Sequence, residues 1–318
     1  MKIFVAGATG TLGRPLVRQL IARGHELVGL TRTPAGVRAL EAMGVRGVIG
    51  DAMDAERMRS AILDARPEQV IHLLTALPAG GAPRPRGLRP TNRLRIVGTA
   101  NLLRGSIEAG VRRMVAESFA GVYGAATFTH RATEREPLPP AGNGAFREGA
   151  LALRSMEDQL RTARDTRQME TVALRIGFLY GPEAPATRML IQQARAGWLF
   201  APRGLTGLSP FVHIDDAISA IIAAIEKPSP SVSYNVVDDE PVKLESFLDL
   251  LVQAAGARRV KRAPGWLVRL TAPLLVDLLS ARLLLSNAAA KQELGWRLRY
   301  PTIREGLQTL RGAIQEAA

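Results

Sequence analysis

The sequence predicts an α/β protein: a doubly wound parallel sheet joined to a smaller, mainly helical C-terminal part. Three observations predict it. Short β-branched runs alternate with longer helical periodicities through the first half of the chain. A glycine-rich turn follows the first run directly and opens an amphipathic helix. Beyond residue 180 the alternation gives way to mostly helical patterns. With 318 residues, 47% hydrophobic and 22% charged, the chain can bury a sizeable core and is too apolar for disorder.

Taken in order, strands are expected over 2–6, 26–31, 45–49, 69–74 and 113–117, with 170–177 and 234–237 joining later. Helices over 11–23, 34–42, 55–65 and 93–109 fill the intervals, which is the order that yields parallel pairing with helices on both faces. Residues 78–90 (PAGGAPRPRGLRP) and 124–144 are too rich in Pro and Gly to be regular elements. Both follow the carboxyl ends of strands, where open α/β sheets bind ligands.

Composition removes several classes of chemistry. There is no cysteine, hence no disulfide, thiolate nucleophile or Cys-based metal centre. The four histidines, His25, His72, His130 and His213, never stand at ligand spacing, so no metal site is expected. The net charge is +13, but 37 of the 42 basic residues are arginines, scattered rather than blocked, and no nucleic-acid motif accompanies them. A small, anionic molecule is the expected partner, not nucleic acid. The first apolar run is broken at once by Gly7 and Gly10, so no secretory signal is expected. The most apolar stretch, 267–285, contains Arg269, Pro273, Asp277 and Arg282 and reads as packed helices, not a bilayer span. A cytoplasmic protein is expected.

The strongest local signal is Gly7-Ala8-Thr9-Gly10-Thr11-Leu12-Gly13. Gly7 permits the tight turn, Gly10 lets backbone approach a pyrophosphate, and Gly13 lets helix pack on strand. The free amides at Thr11 and Leu12 then offer a helix N-terminus to phosphates. This predicts a dinucleotide site of the Rossmann type. The second strand ends Thr31-Arg32-Thr33, without the acid an NAD site places there and with an arginine able to bond a 2′-phosphate, helped by Arg14 or Arg38. NADP is expected, with NAD the alternative. Asp51, followed by Ala52, ends the third strand and suits an adenine amino group, or else caps the next helix. Leu74, Thr75 and Ala76 are small or apolar residues against which a cofactor can lie.

These pieces resemble the extended short-chain dehydrogenase/reductase family, also called the NAD-dependent epimerase/dehydratase family. The matching segments are GATGTLG (7–13), GD (50–51), VIHLLTA (70–76), N-x5-GTANLL (92, 98–103), VYG (122–124), EREPLPP (134–140), LRIGFLYGP (174–182), FVHIDDA (211–217) and YNVVDDEPV (234–242), all in the family's order. The resemblance implies an NAD(P)-binding domain over 1–180, with 205–237 returning to it, and a substrate-binding part over 181–204 and 238–318. It also implies backbone contacts to the nicotinamide from Phe178 and Tyr180, and a homodimer through helices flanking the fifth strand. His213-Ile214-Asp215-Asp216 resembles a segment that starts a helix, with Asp215 or Asp216 as its cap.

The family's chemistry uses a Ser/Thr with a Tyr-x-x-x-Lys pair, and here that pair is missing. The alignment puts Phe119 at the Ser/Thr position, Gly149 at the tyrosine and Leu153 at the lysine. No tyrosine has a lysine four residues on, and no lysine occurs between Lys2 and Lys227. The best reading is an oxidoreductase moving hydride to or from a carbonyl or hydroxyl with a rebuilt acid. Its candidates are Tyr123 and Ser118, beyond or at the fifth strand's end, with His130 or Glu134 on a loop able to fold over the pocket. The alternative is a non-catalytic NADP-binding regulatory or accessory protein. Arg84, Arg86, Arg89, Arg188, Arg195 and Arg203 are candidates for an anionic substrate, and Trp198, Leu199 and Phe200 for an apolar pocket wall.

Overall fold

The computed structural model describes residues 1–78, 81–202, 204–256 and 260–310. It opens as the periodicity requires. Strand β1 (Lys2–Ala6) leads through the glycine turn into α1 (Gly13–Ala22); β2 (Glu26–Thr31), α2 (Pro34–Glu41), β3 (Arg46–Ile49), α3 (Ala55–Ala65) and β4 (Gln69–His72) follow. Local chemistry starts two of these helices: the Thr33 hydroxyl accepts from the Gly36 amide (3.1 Å) and the Asp54 carboxylate from that of Arg57 (3.0 Å). The helix expected over 93–109 is three pieces: α4 (Arg89–Arg93), a π turn (Leu94–Gly98) and α5 (Thr99–Glu108). Pro90 sits in the first turn of α4, where its missing N–H costs nothing, so the helix starts earlier than predicted.

Strand β5 (Arg113–Phe119) runs two residues beyond the prediction. After it come α6 (Arg147–Asp165), β6 (Glu170–Ile176), β7 (Phe178–Tyr180), α7 (Pro185–Arg195), β8 (Phe200–Pro202) and β9 (Phe211–His213). The chain then runs through α8 (Ile214–Glu226), β10 (Ser233–Val236), α9 (Leu244–Ala254), β11 (Lys261–Ala263), α10 (Gly265–Thr271), α11 (Pro273–Ser280), α12 (Ala288–Glu293) and α13 (Ile303–Gly306). Helix α8 is capped by the His213 ring, which accepts from the Asp215 amide, and not by Asp215 or Asp216. Asp216 instead receives the amides of Arg299 (2.7 Å) and Tyr300 (2.9 Å), tying the C-terminal segment to α8.

The main sheet has seven parallel strands in the order β10-β6-β5-β4-β1-β2-β3. One face is covered by α3, α5 and α6 through Met58, Ile62, Leu102, Leu153, Met156 and Leu160. The other is covered by α1 and α8 through Leu16, Val17, Leu20, Ile218 and Ile221. A third cluster, built from α7, α9 and α13 around Phe211, Phe247 and Leu251, lies outside the sheet. Strand order reverses between β1 and β4, so the loops leaving them diverge and open a crevice. Among the described residues, no helix is long and apolar enough to cross a membrane.

The loop over 124–144 is pinned rather than free. The Phe128 amide donates to the Arg282 carbonyl (2.9 Å) and that of Ala132 to Leu284 (2.8 Å), so the C-terminal segment runs along it as an added strand. His130 is exposed and paired with Glu136 (3.1 Å), and Glu134 is turned inward to accept from the Asn235 amide. The expectation that this loop folds over the pocket is therefore corrected: its backbone bonds hold it elsewhere.

Candidate active site

A cavity of about 1290 Å³ runs along the carboxyl ends of the central strands. It exceeds the ~300–1,000 Å³ usual for one small ligand. The crevice end is built by the glycine turn. Gly7 has φ +102°, and a Cβ there would fall 2.6 Å from the Leu73 carbonyl oxygen, so only glycine lets the turn meet the exit of β4. A Cβ on Gly13 would overlap the Gly7 oxygen. Gly10 differs: a Cβ there meets only that oxygen, at 3.1 Å, and otherwise open space. This bare backbone suits the close approach of a pyrophosphate. The amides of Thr11 and Leu12, at the start of α1, have no acceptor among the described residues.

Thr9, Gly10, Thr11, Leu12 and Gly13 line this end together with Thr31, Arg32 and Thr33. Arg14 lies over the turn, its Nε donating to the Thr9 carbonyl (3.0 Å). Arg32 is exposed and forms no ion pair among the described residues, and Arg38 does not line the cavity. Asp51 and Ala52 line it as well: the Asp51 carboxylate accepts from the Met53 amide (2.9 Å), and Asn101 Nδ2 holds the Ala52 carbonyl (2.8 Å). Asp51 caps no helix, because Asp54 does that for α3. Leu74, Thr75 and Ala76 continue the wall, fixed where the Ala76 amide donates to the Thr91 hydroxyl (3.0 Å).

The far end of the cavity is aromatic. Phe119, Phe146 and Phe178 meet edge to face, with ring centroids 6.2 Å apart for Phe119–Phe146 and 5.1 Å for Phe119–Phe178. Phe146 leaves room only for glycine at 149, where the sequence alignment expects the tyrosine position, since a Cβ there would fall 2.5 Å from its ring. Leu153, at the lysine position, is fully buried in the core.

The structure moves two predicted residues out of the cavity. Tyr123 is fully buried; its hydroxyl donates to Asn235 Oδ1 (2.9 Å) and accepts from Arg175 Nη1 (2.8 Å), and burial holds its pKa above the ordinary value. Tyr180 is also fully buried, donating to the Asp238 carboxylate (2.9 Å), so of the pair expected at the nicotinamide only Phe178 reaches the wall. Ser118 does line the cavity, but its hydroxyl is donated to Glu157 (2.6 Å). That carboxylate is held on its other side by Arg175 Nη2 (2.7 Å). Burial alone would lower the Arg175 pKa; the Glu157 charge overrides it and raises it. Ser118, Glu157, Arg175, Tyr123 and Asn235 form one buried chain of hydrogen bonds, which stiffens the strand ends under the cavity floor.

None of Arg84, Arg86, Arg89, Arg188 and Arg195 lines the cavity, and Arg203 lies outside the described residues. Phe200 lines it, Leu199 is buried in the third cluster, and Trp198 is 69% exposed. Among the polar residues unmarked by the sequence that line it are Glu117, on β5, and Arg95, in the π turn. Burial pushes the Glu117 carboxyl up to about 7 against the pull of Arg95, and burial lowers Arg95 to about 10 against the pull of Glu117. A charged residue near the end of an otherwise apolar strand was the readable signal for Glu117. Arg95 carried none, because the π turn that aims it is silent in the sequence.

Comparison with known proteins agrees with this geometry. The model of the NAD dependent epimerase/dehydratase family matches residues 3–237. A 3-diazoavenalumate denitrifying reductase from a Streptomyces species is 35% identical over 313 residues, covering 96% of this chain and 99% of that protein. A 4-hydroxy-2-methyl-3-oxo-4-farnesyl-3,4-dihydroquinoline-1-oxide ketoreductase from Stigmatella aurantiaca is 26% identical, covering 98% and 96%. Among solved structures, the UDP-glucose 4-epimerase of Thermus thermophilus in complex with NAD superposes with a TM-score of 0.79 at 24% identity, covering 98% of this chain and 100% of that one.

Proposed function

The chain belongs to the NAD-dependent epimerase/dehydratase family, and from that premise we propose that it is an NADP-dependent reductase whose site works without a Tyr-x-x-x-Lys pair. The observation that carries this reading is the single cavity joining the open glycine backbone and the Thr11 and Leu12 amides to a chamber walled by Phe119, Phe146 and Phe178. It has room for a dinucleotide and a substrate together. When bound, the reduced dinucleotide supplies hydride. This chain's own residues bind, orient and exclude water. Gly7, Thr9, Gly10, Thr11, Leu12 and Gly13 hold the pyrophosphate, Asp51 and Ala52 the adenine side, Leu74, Thr75 and Ala76 the ribose side, and Phe178 the nicotinamide end.

NADP rather than NAD follows from the end of β2. Thr31 and Thr33 flank Arg32 there, no acid stands to receive ribose hydroxyls, and Arg32 is unpaired beside the cavity. The named relatives are reductases, one of them acting on a ketone, which favours hydride transfer to a carbonyl over the epimerisation carried out by the similar solved structure. The aromatic chamber suits an apolar or aromatic carbonyl compound. Dimerisation would use the α5–α6 face, where Ile96, Val97 and Leu151 are exposed.

The test is a screen of aromatic and long-chain ketones with NADPH deuterated at the transferring carbon, read by mass spectrometry. The reading expects deuterium on the former carbonyl carbon of at least one compound. Bound NADPH with no deuterium moved into any of them would contradict it.

A further inference from the structure

Glu117 and Arg95 have no assigned role, and the packing of the fold does not supply one. Glu117 is the third-last residue of β5, and strand alternation puts it on the same face as Phe119, one repeat closer to the sheet interior. Both line the cavity. The Glu117 carboxylate makes no hydrogen bond and no ion pair within 4 Å among the described residues, in contrast to Glu157, both of whose carboxylate oxygens are bonded, and Glu134, which accepts from the Asn235 amide. Arg95 is 7% exposed, lines the same cavity, and keeps Nη1 buried with no hydrogen-bond partner among the described residues. Leaving a buried guanidinium nitrogen unanswered is costly unless a ligand answers it, and the half-buried Glu117 carboxylate opens onto the same cavity. Arg95 is aimed there by a π turn, a distortion that recurs at functional sites.

We propose that Glu117 is the proton donor of the reduction and that Arg95 is the fixed cation that sets its strength, the two replacing the absent tyrosine and lysine. This rests on the reductase reading above. In the step, hydride from the reduced dinucleotide bonds to the carbonyl carbon and the C=O π pair moves to oxygen. That oxygen takes the Glu117 carboxyl proton, giving the alcohol, an oxidised dinucleotide and a Glu117 carboxylate facing Arg95. Water returns the proton.

Arg95 is the charge that acts on the Glu117 carboxyl; Arg93, at the end of α4, also lines the cavity. On β4, His72 is held to about 4 by burial, then by Arg95, and is neutral, with Nε2 bonded to the Thr99 hydroxyl (2.9 Å). Arg175 on β6 and Glu157 on α6 bind each other, and Glu157 also accepts from Ser118. Arg113, at the far end of β5, is paired with Glu170, and Asp216 of α8 is taken by backbone amides.

The experiment compares wild type, Glu117→Gln, Glu117→Asp and Arg95→Met in three readouts: NADPH affinity, the Glu117 carboxyl titration in the ligand-free protein by ¹³C-glutamate NMR, and the pH profile of single-turnover reduction. In wild type, one carboxyl titrates near pH 7 and reduction slows as pH rises through that value; in Arg95→Met that titration moves up. In Glu117→Gln the resonance disappears, the profile flattens and reduction falls about 10²–10⁴-fold with NADPH affinity unchanged; Glu117→Asp recovers part of the rate and covers the case in which Glu117→Gln does not fold. The proposal is overturned by Glu117 titrating in the ordinary carboxylate range, by Glu117→Gln reducing at the wild-type rate, or by a loss seen only in NADPH affinity. Failure of wild type to bind either nucleotide overturns the reductase reading as well, whereas normal binding with an indifferent Glu117 overturns this proposal alone.

Discussion

A tyrosine just past the fifth strand looked catalytic from the sequence, and the folded chain gives it other work. Tyr123 and Ser118 are two ends of a buried relay whose centre is the Arg175–Glu157 pair, at 6% and 4% side-chain exposure. One-dimensional spacing places a residue at a strand's end but not on which side of the sheet its hydroxyl finds a partner. Removing one member of such a pair leaves the other charge buried and unanswered, so Glu157→Ala is expected to destabilise by about 3–5 kcal/mol in urea unfolding. Tyr123→Phe is expected to leave hydride transfer unchanged while lowering stability by about 1 kcal/mol. A second consequence concerns Asp238, pushed up to about 8 by burial, with Asp216 and Asp239 adding to the effect against the Tyr180 hydrogen bond. An acid whose folded pKa is raised contributes stability at low pH that is lost as pH rises through that pKa. Asp238→Asn keeps an acceptor for Tyr180 and escapes this loss. Its melting temperature should therefore gain on wild type steadily between pH 4 and pH 8, and a constant difference would refute that origin.

Elements were more legible than side-chain roles. The strands β1 and β2 and helix α3 fall where alternation and helical period put them, because each buries one clear apolar face. The π turn, the strand-like pinning of the 124–144 loop and the ring cap of His213 were not legible, since each depends on a partner far away in sequence. The glycine turn was read correctly as an element, and the structure separates its glycines by role. Gly13→Ala drives a methyl into the Gly7 carbonyl and should destabilise the whole turn, lowering both melting temperature and NADPH affinity. Gly10→Ala meets only one oxygen at 3.1 Å, so its melting temperature should stay close to wild type while NADPH affinity falls about tenfold or more. Equal effects from the two substitutions would mean that neither faces a ligand.

At the scale of the molecule, the parallel sheet fixes where anything can bind. Reversal of strand order between β1 and β4 opens the crevice, and the aromatic wall formed by β5, α6 and β7 closes its far end. The excess of positive charge is spread along the chain; among the described arginines, Arg14, Arg32, Arg93 and Arg95 line the cavity. Of these, Arg32 is the one we propose selects the cofactor. The measurement that bears most directly on the account is a parallel titration of wild type and Arg32→Ala with NADPH and NADH, followed by intrinsic fluorescence and thermal shift. A ligand that binds only the folded state must raise apparent stability. NADPH is expected to bind wild type more tightly than NADH, and Arg32→Ala to remove the preference by weakening NADPH alone. Binding of neither nucleotide, or a preference for NADPH that survives in Arg32→Ala, would contradict it.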